Sequence, residues 1–374
     1  MKYSAALLFL SAVAAATDSL ASELPGALPV IDASKFASIQ EALNAIPEGG
    51  GLVRLPAGNF EIEEPLVLHR GDVKIEGSGT ATHIINRNEK GKPALILSHP
   101  DGHDVKRDDR LWRIQLSDFR ITGNPKSGHG IEAIQIEEIF LQGLTVSRNG
   151  GDGIRLDKCY EDPRVSDCLI TYNGSVGVNL LGCHDIVVSA CQFEENRDAL
   201  HCSDGFNLCM TGNCVDDHLD RGVLIENTYG SVLSGNMIEE CMGTAVTLAR
   251  DCYGITLSAN VIAHNGSGID LQDAHGCAVS ANTFTIMKEF ALKIGPDSGR
   301  ITVTGNNFSD SFIGNDRVRR QENDRSAGGV VLDGTTDIAL TGNVFSGLTG
   351  KPVDRQKECR RIIEQGNVVV PSSK

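Results

Sequence analysis

A histidine and several charged side chains lie in two stretches, and Asp198 of the first is 23 residues from Arg221 of the second. Asp198 and His201 stand in the first stretch, and Asp220, Arg221 and Glu226 stand in the second. Carboxylates, a histidine and an arginine at close range shift one another's pKa values, as acids and bases in active sites do. The three candidate catalytic residues are His201, Arg221 and Asp198, and Asp220 and Glu226 are candidates for substrate binding.

Further candidates follow from the alternation of apolar and polar residues. If Gly153-Ile154-Arg155-Leu156 is a strand, Ile154 and Leu156 point inward and Arg155 points outward. The same outward position in successive repeats holds Glu132, Arg155, Asn179, His201, Leu224, Thr247, Asp270, Lys293 and Val331. Four of these are candidate substrate-binding residues, namely Arg155, Asn179, Asp270 and Lys293. The alternative is that all of them are ordinary solvated side chains on an exposed strand.

The elements that must position these residues are units of a repeat that runs from residue 112 to residue 370. Its signature is a Gly-Asn or Ala-Asn pair with an apolar residue two positions further on, and successive Asn residues are 22 to 24 apart except for one interval of 37. The Asn residues of these pairs are Asn213, Asn236, Asn260, Asn282, Asn306, Asn343 and Asn367. Stepping back by the same period places Cys191, Cys168, Leu144 and Phe119 in this slot. A fixed period of this length predicts a solenoid.

Each repeat contains three short runs of alternating apolar and polar residues and no run long enough for a helix, which predicts three strands per coil. The fold class is therefore all-β: a single-stranded, right-handed parallel β-helix with about 23 residues per coil and an N-terminal helical cap. The repeat resembles the pectate-lyase-like superfamily. That resemblance implies a ladder of Asn side chains between the second and third strands of each coil, and a substrate groove on the outer face of the first strand. Both Asn and Gly tolerate the left-handed backbone conformation that such a turn needs.

The N-terminal part predicts an exported protein. Residues 1–21 read as a signal peptide, with Lys2 before an apolar core from Ala5 to Ala16. Residues 22–374 are predicted to form one β-helix domain, in which residues 35–60 make the cap and first coil. Phe36, Ile39 and Leu43 fall on one face of a short amphipathic helix. The order of short segments over residues 35–86 resembles the N-terminal module of exported β-helix enzymes that act on polysaccharides.

Composition and charge limit the classes of molecule that the protein is expected to bind. The net charge of −15 argues against nucleic acid and anionic membranes, and against an acidic polymer unless a local cationic patch offsets it. No segment after the signal peptide is apolar enough for membrane insertion. The predicted partner is a polysaccharide or oligosaccharide, and the oligomeric state stays open.

The positions of the eleven cysteines follow the repeat, which predicts that the cysteines are small buried hydrophobic side chains. The alternative is that they form disulfides between neighbouring coils. No metal-ligand spacing is recognisable, so no metal site is predicted. No residue set fixes a cofactor, and Ca2+ stays open. Two polar inserts, residues 99–111 and 309–328, interrupt the repeat; they either wall a groove or are passive loops.

The chemistry is less defined than the fold. The motif order of pectin-hydrolysing β-helix enzymes and the Asp-Pro-His signature of alginate epimerases are absent, so no catalytic residue is carried over from the resemblance. The leading hypothesis is a lyase that cleaves a uronic-acid polymer, with His201 or Lys293 as the base and Arg155 or Arg221 neutralising the enolate. The alternatives are a glycoside hydrolase, with Asp198 paired with Asp220 or Glu226, and a non-catalytic glycan-binding or structural module.

Overall fold

The chain winds as a parallel β-solenoid in the computed structural model, which describes residues 24–309 and 326–370. Over these residues each regular coil contributes one strand to each of three parallel sheets, named sheets I, II and III in the order of the strands within a regular coil such as that beginning at Ile154. The all-β class and the three strands per coil are thereby confirmed. The predicted signal peptide and most of the second insert lie outside the described residues.

Sheet I carries the predicted outward column. Its twelve described strands are Leu66–Leu68, Leu95–Ser98, Ile131–Ile134, Ile154–Asp157, Val176–Leu181, Asp198–Ser203, Val223–Glu226, Thr244–Ala249, Ser267–Leu271, Leu292–Ile294, Val330–Asp333 and Val353–Gln356.

Sheets II and III complete each coil. Sheet II has sixteen described strands: Val30–Asp32, Gly51–Arg54, Val73–Glu76, Leu111–Ser117, Ile136–Gln142, Arg164–Ser166, Val187–Ser189, Cys209–Thr211, Val232–Ser234, Cys252–Tyr253, Thr256–Ser258, Ala274–His275, Ala278–Ser280, Gly299–Thr304, Thr336–Thr341 and Arg360–Gln365. Sheet III has thirteen: Gly58–Ile62, Thr82–Asn86, Arg120–Thr122, Thr145–Ser147, Leu169–Thr171, Gln192–Glu194, Cys214–Asp216, Met237–Glu239, Val261–Ala263, Thr283–Thr285, Asn307–Ser309, Val344–Ser346 and Val368–Val370.

The predicted Asn ladder fills the turn between sheets II and III. The Asn236 side chain shows the pattern: its Oδ1 accepts hydrogen bonds from the backbone N–H and the amide of Asn213, and its amide donates to Asn260 Oδ1 and to the Met210 carbonyl. The left-handed residue is the one before each Asn, as at Gly235 (φ 67°) and Ala259 (φ 54°). This corrects the expectation that Asn itself adopts that conformation. The ladder satisfies the buried polar groups of the turn without water.

A second ladder, which the sequence pattern did not indicate, lies in the turn between sheet III and the next strand of sheet I. Asn173 Oδ1 accepts from the backbone and side chain of Asn149, and Asn196 Oδ1 accepts from those of Asn173. In the following coil a buried histidine, His218, contacts the Asn196 carbonyl at 3.1 Å through Nδ1. His218 therefore belongs to the scaffold of the turn.

The predicted cap helix is present and shorter than expected. It spans Ile39–Asn44, with Ser38 as its N-cap, and buries Ile39 and Leu43. Phe36 lies before the helix and is 36% exposed, so its predicted place on the apolar face was wrong. The Gln40 side chain both donates to and accepts from the Val67 backbone, so it pairs with the free edge of the first strand of sheet I. The remaining helices are single 3₁₀ turns at Ala33–Lys35, Gly79–Ala81, Gly102–Asp104 and Arg107–Asp109.

The core is a set of columns that run along the solenoid. Phe284, Phe308 and Phe345 stack with ring centroids 4.8 and 4.9 Å apart. All eleven cysteines are free, and all are buried or half-buried, as expected of small apolar side chains. Among the described residues, no helix is long and apolar enough to cross a membrane.

Candidate functional site

The outward column of sheet I lies as the sequence alternation predicted. Strand pairing places Glu132, Arg155, Asn179 and His201 side by side on successive coils, and the same register continues through Leu224, Thr247, Asp270, Lys293 and Val331. Adjacent strands are about 4.8 Å apart. Arg155 and His201 are therefore about 10 Å apart along the solenoid, with Asn179 between them.

His201 is half of a hydrogen-bonded acid–base pair. Its Nε2 lies 2.8 Å from Glu226 Oε2, and Glu226 accepts a second bond of 2.9 Å from Arg250 Nε. Burial opposes ionisation of Glu226, but the bonds from His201 and Arg250 outweigh it and hold the Glu226 pKa below its ordinary value. An ionised carboxylate on one ring nitrogen orients the imidazole and fixes its tautomer. This arrangement suits proton transfer at His201.

Asp198 lies below the surface of the groove, with 1% of its area exposed. Its carboxylate accepts from the backbone N–H of Arg221 at 2.9 Å, from Arg221 Nε at 3.2 Å and from Arg197 Nη2 at 3.2 Å. Burial opposes ionisation of Asp198, yet these bonds keep its pKa lowered. The structure thus brings Asp198 and Arg221 together as the sequence predicted, and it makes Asp198 a buried support for the arginine. Asp220 is more exposed and lies 3.7 Å from Arg221.

A second cluster surrounds Arg155, and the sequence reasoning missed its centre, Asp152. Asp152 is buried; its Oδ2 accepts from the Asn179 amide at 2.9 Å, and its backbone N–H donates to His129 Nδ1 at 2.9 Å. Asp152 stands three residues before Arg155, as Asp198 stands three residues before His201, so the repeat phase could have identified it. Arg155 lies 3.7 to 3.8 Å from three carboxylates, those of Glu132, Asp152 and Asp157.

Asp270 and Lys293 are not part of either cluster. Leu224 and Thr247 are buried and separate them from His201, so Lys293 is about 19 Å along the sheet from the histidine. Within the described residues Lys293 forms no ion pair and lies 6.0 Å from the Phe290 ring. The outward face of sheet I thus has a polar centre from Glu132 to Glu226, and Asp270 and Lys293 lie apart from it.

Two sets of side chains could hold a metal ion, and both lie at the ends of sheet III strands and on the turn that follows them. They are Glu239, Glu240 and His264, and Asp216, Asp217 and Glu240, with ligand atoms within 4.8 Å of one another. Burial, then repulsion from Asp217, raises the pKa of Asp216. Burial lowers the pKa of His218, in the turn behind them, to about 4, so that histidine is neutral at pH 7.

Comparison with known proteins agrees with the architecture. A family model described as the right handed beta helix region matches residues 104–260 and 164–308. By sequence, no curated protein matches this chain.

Among solved structures, the A-module of mannuronan C-5 epimerase AlgE6 from Azotobacter vinelandii superposes with a TM-score of 0.69 at 16% identity, covering 91% of this chain and 99% of its own. A GH87 α-1,3-glucanase catalytic unit from Streptomyces thermodiastaticus gives a TM-score of 0.60 at 15% identity, covering 94% of this chain and 71% of its own. A family 28 exopolygalacturonase from Yersinia enterocolitica gives 0.59 at 12% identity, covering 90% and 78%. At these identities the likeness is one of fold.

Proposed function

The chain belongs to the right-handed β-helix family, and from this premise we propose that it is a carbohydrate-active enzyme that binds a polysaccharide along sheet I. The solved structures that share its fold include enzymes named for polysaccharide substrates, which supports this class. The observation that carries the proposal is the His201–Glu226 pair of 2.8 Å on the outward face, next to Asn179 and Arg155.

The reaction that suits this pair best is β-elimination from a uronic acid residue. His201 removes the proton on the carbon next to the uronate carboxylate, and the electron pair of that C–H bond passes into the enolate. The enolate then re-forms the carboxylate, a ring carbon–carbon double bond appears, and the glycosidic C–O bond breaks. The leaving oxygen takes up a proton from water, and the protonated His201 returns its proton to water after the cleavage. Glu226 orients His201 throughout.

The developing negative charge needs a cation that can approach the substrate. Arg155 is suited to this because its contacts with Glu132, Asp152 and Asp157 are 3.7 to 3.8 Å, longer than hydrogen bonds, so that it can exchange one of them for a substrate carboxylate. Arg221 is held more firmly by Asp198 and supplies fixed positive potential beside His201. Asp198 acts as a positioning residue in this scheme. Asp220 binds sugar hydroxyls, while Asp270 and Lys293 contact the chain further along. Asn179 is 8% exposed and its amide is held by Asp152, so it positions that carboxylate beside Arg155.

A glycoside hydrolase is the second candidate, because carboxylates outnumber cations in the groove, which suits a neutral sugar. Hydrolysis of a glycosidic bond by two carboxyl groups needs one of them protonated at the start. Both Asp198 and Glu226 have lowered pKa values because of their arginine and histidine partners, so they are ionised at neutral pH. This favours proton abstraction over acid-catalysed hydrolysis.

The test is a panel of pectate, alginate, glycosaminoglycans and neutral glycans, with and without Ca2+. Ultraviolet absorbance of unsaturated product reports elimination, and reducing ends without that absorbance report hydrolysis. Proton exchange from D2O at the uronate, without chain cleavage, would report epimerisation by the same base. A folded protein that is silent in all three assays would contradict the enzymatic proposal and support the non-catalytic alternative.

Export is part of the same proposal. Residues 1–21 read as a signal peptide. Export would place the enzyme in the periplasm or outside the cell, where polysaccharides occur. N-terminal sequencing of the protein recovered from the producing cell would find a start after residue 21 if this is correct. A chain that still begins at Met1 would contradict it.

A further inference from the structure

The turn between sheets I and II carries an external column of aromatic rings, here termed the aromatic ladder. The column holds one ring per coil, because strand bridges join His184, Phe206, Tyr229 and Tyr253 in turn and a ring contact joins Tyr160 to His184. Centroid distances along the first four rings are 4.5, 4.6 and 5.4 Å. Phe206 and Tyr253 are 42% and 48% exposed, which is unusual for rings on an otherwise polar surface. The ladder borders sheet I, since each ring lies only a few residues after a strand of that sheet.

The rings do not all present the same surface. Phe206 and Tyr229 are nearly parallel, at 21°, so each covers a face of the other. His184 meets Tyr160 at 63° and Phe206 at 66°, in edge-to-face contacts, and both Tyr160 and His184 are half-buried. Sugar rings pack their C–H faces on aromatic rings. The Tyr160–His184 step is the place on the ladder where two of these rings line a cleft.

A cleft of about 340 Å³ lies at that step. It is lined by Arg107, Arg110, Tyr160, Glu161, His184 and Asp185. This volume is at the lower end of the range of about 300–1,000 Å³ found for small-molecule sites. The two arginines come from the insert at residues 99–111, so this insert forms a wall and is not a passive loop.

The wall is anchored by a buried ion pair. Arg110 Nη1 donates to Glu137 Oε1 at 2.7 Å, and the Arg110 guanidinium lies 4.9 Å from the centroid of the Tyr160 ring. Glu137 is 1% exposed, yet its Oε2 and the Nε of Arg110 have no hydrogen-bond partner within the described residues. Buried polar atoms without partners are rare in folded proteins and mark positions that a ligand or water completes. The same insert reaches the groove, because His103 lies 3.8 Å from Asp157, which also contacts Arg155.

We propose that this cleft is a subsite for a neutral sugar residue of the substrate. Two arginines and two carboxylates line it, so its charges balance and suit hydroxyl groups, which accept from guanidinium and donate to carboxylate. A uronate would meet Glu161 and Asp185 as well as the arginines. The inference rests on the proposed function and deepens it. A uronic acid at His201 and a neutral sugar in the cleft define a heteropolysaccharide in which both kinds of residue occur.

The test is calorimetric titration of the protein with linear neutral tetrasaccharides of glucose, mannose and galactose, and with tetragalacturonate, up to millimolar concentration. We expect at least one neutral tetrasaccharide to bind, and Tyr160→Ala to weaken it about tenfold, equivalent to about 1.4 kcal/mol. Arg107→Ala should weaken it about threefold or more through a lost hydrogen bond. The Arg107 side chain is 77% exposed, so this variant keeps the fold even if Tyr160→Ala does not.

Tyr172→Ala is the matched control. Tyr172 is also exposed and lies under an arginine, Arg148, at 5.4 Å, but it is on the turn after sheet III and away from the cleft. The proposal is overturned if no neutral tetrasaccharide binds the wild type, or if the two cleft variants bind as tightly as Tyr172→Ala. Neutral binding that depends on Arg107, in a protein without eliminating activity, would sustain the cleft and refute the lyase. Elimination of a uronate polymer without such binding would do the reverse.

Discussion

Replacement of Asn236 by alanine tests whether the Asn ladder stabilises the solenoid that carries the site. The Asn236 side chain makes four hydrogen bonds: two from Asn213 at 3.1 and 2.9 Å, one to Met210 and one to Asn260, both at 3.0 Å. After truncation the buried backbone N–H of Asn213 has no acceptor, which costs about 1–3 kcal/mol. The Asn213 side-chain amide still donates to the Val188 and Thr211 carbonyls, so the loss of its bond to Asn236 costs less than the loss of the backbone bond. With about 1 kcal/mol for each of the two bonds that the Asn236 amide donates, the free energy of unfolding should fall by about 3–5 kcal/mol.

The measurement is urea unfolding followed by far-ultraviolet circular dichroism, with the change in free energy taken from the midpoint and slope. Asn59→Ala is the control, because Asn59 is exposed on sheet III and shares one side-chain bond with His83. Its expected effect is within about 0.5 kcal/mol. If Asn236→Ala and Asn59→Ala unfolded at the same urea concentration, the ladder would not be a source of stability and the reasoning would be wrong.

Three further outcomes follow from the structure. Gly268→Ala should lower the free energy of unfolding by about 3 kcal/mol because the added Cβ would overlap the carbonyl oxygen of Ala291. Gly235→Ala, at φ 67° and in open space, should lower it by about 1 kcal/mol. Equal urea midpoints for the two variants would contradict this difference. Asp198 and Glu226 have pKa values below their ordinary 3.8 and 4.5, so the unfolded chain binds more protons, and their stabilisation should be present above these values and lost as the pH falls below them. Asp198→Asn should flatten that acid loss in pH-dependent melting, and an unchanged slope would refute the assignment. A thiol reagent should react in the folded protein only with the half-buried cysteines, Cys209, Cys214 and Cys359, and with all eleven after unfolding.

Most of the fold could be predicted because equivalent positions of a solenoid recur in the sequence at a fixed spacing. The spacing of Asn213, Asn236 and Asn260 gave the coil length, and the alternation around Arg155 gave the outward face; both predictions hold in the structure. The second ladder was not predicted because its Asn residues, Asn149, Asn173 and Asn196, do not follow Gly or Ala, and the column changes to His218 in the next coil. Phe36 was misplaced because periodicity alone does not locate the N-cap at Ser38.

The candidate site was predicted only in part. The pairing of Asp198 with Arg221 follows from their positions in the repeat, because they are 23 residues apart, which is the length of one coil. The sequence did not indicate that Asp198 is buried, nor that Glu226 hydrogen-bonds to His201. The direction of a side chain at the end of a strand depends on its neighbours, and Glu226 is held by Arg250. The wall formed by Arg107 and Arg110 depends on how an irregular insert folds across the neighbouring coils, which no periodic pattern records.

The most direct test of the central proposal is the initial rate of unsaturated-product formation by wild type, His201→Ala and His83→Ala on whichever uronate polymer of the panel the wild type cleaves. His83 is the control because it lies on sheet III, bonded to Thr122 at 2.9 Å, and faces away from the groove. Loss of the base should lower the rate by about 10²–10⁴-fold, while His83→Ala keeps the wild-type rate. A His201→Ala protein that is folded and cleaves the polymer at the wild-type rate would contradict the assignment of sheet I as the catalytic face with His201 as its base.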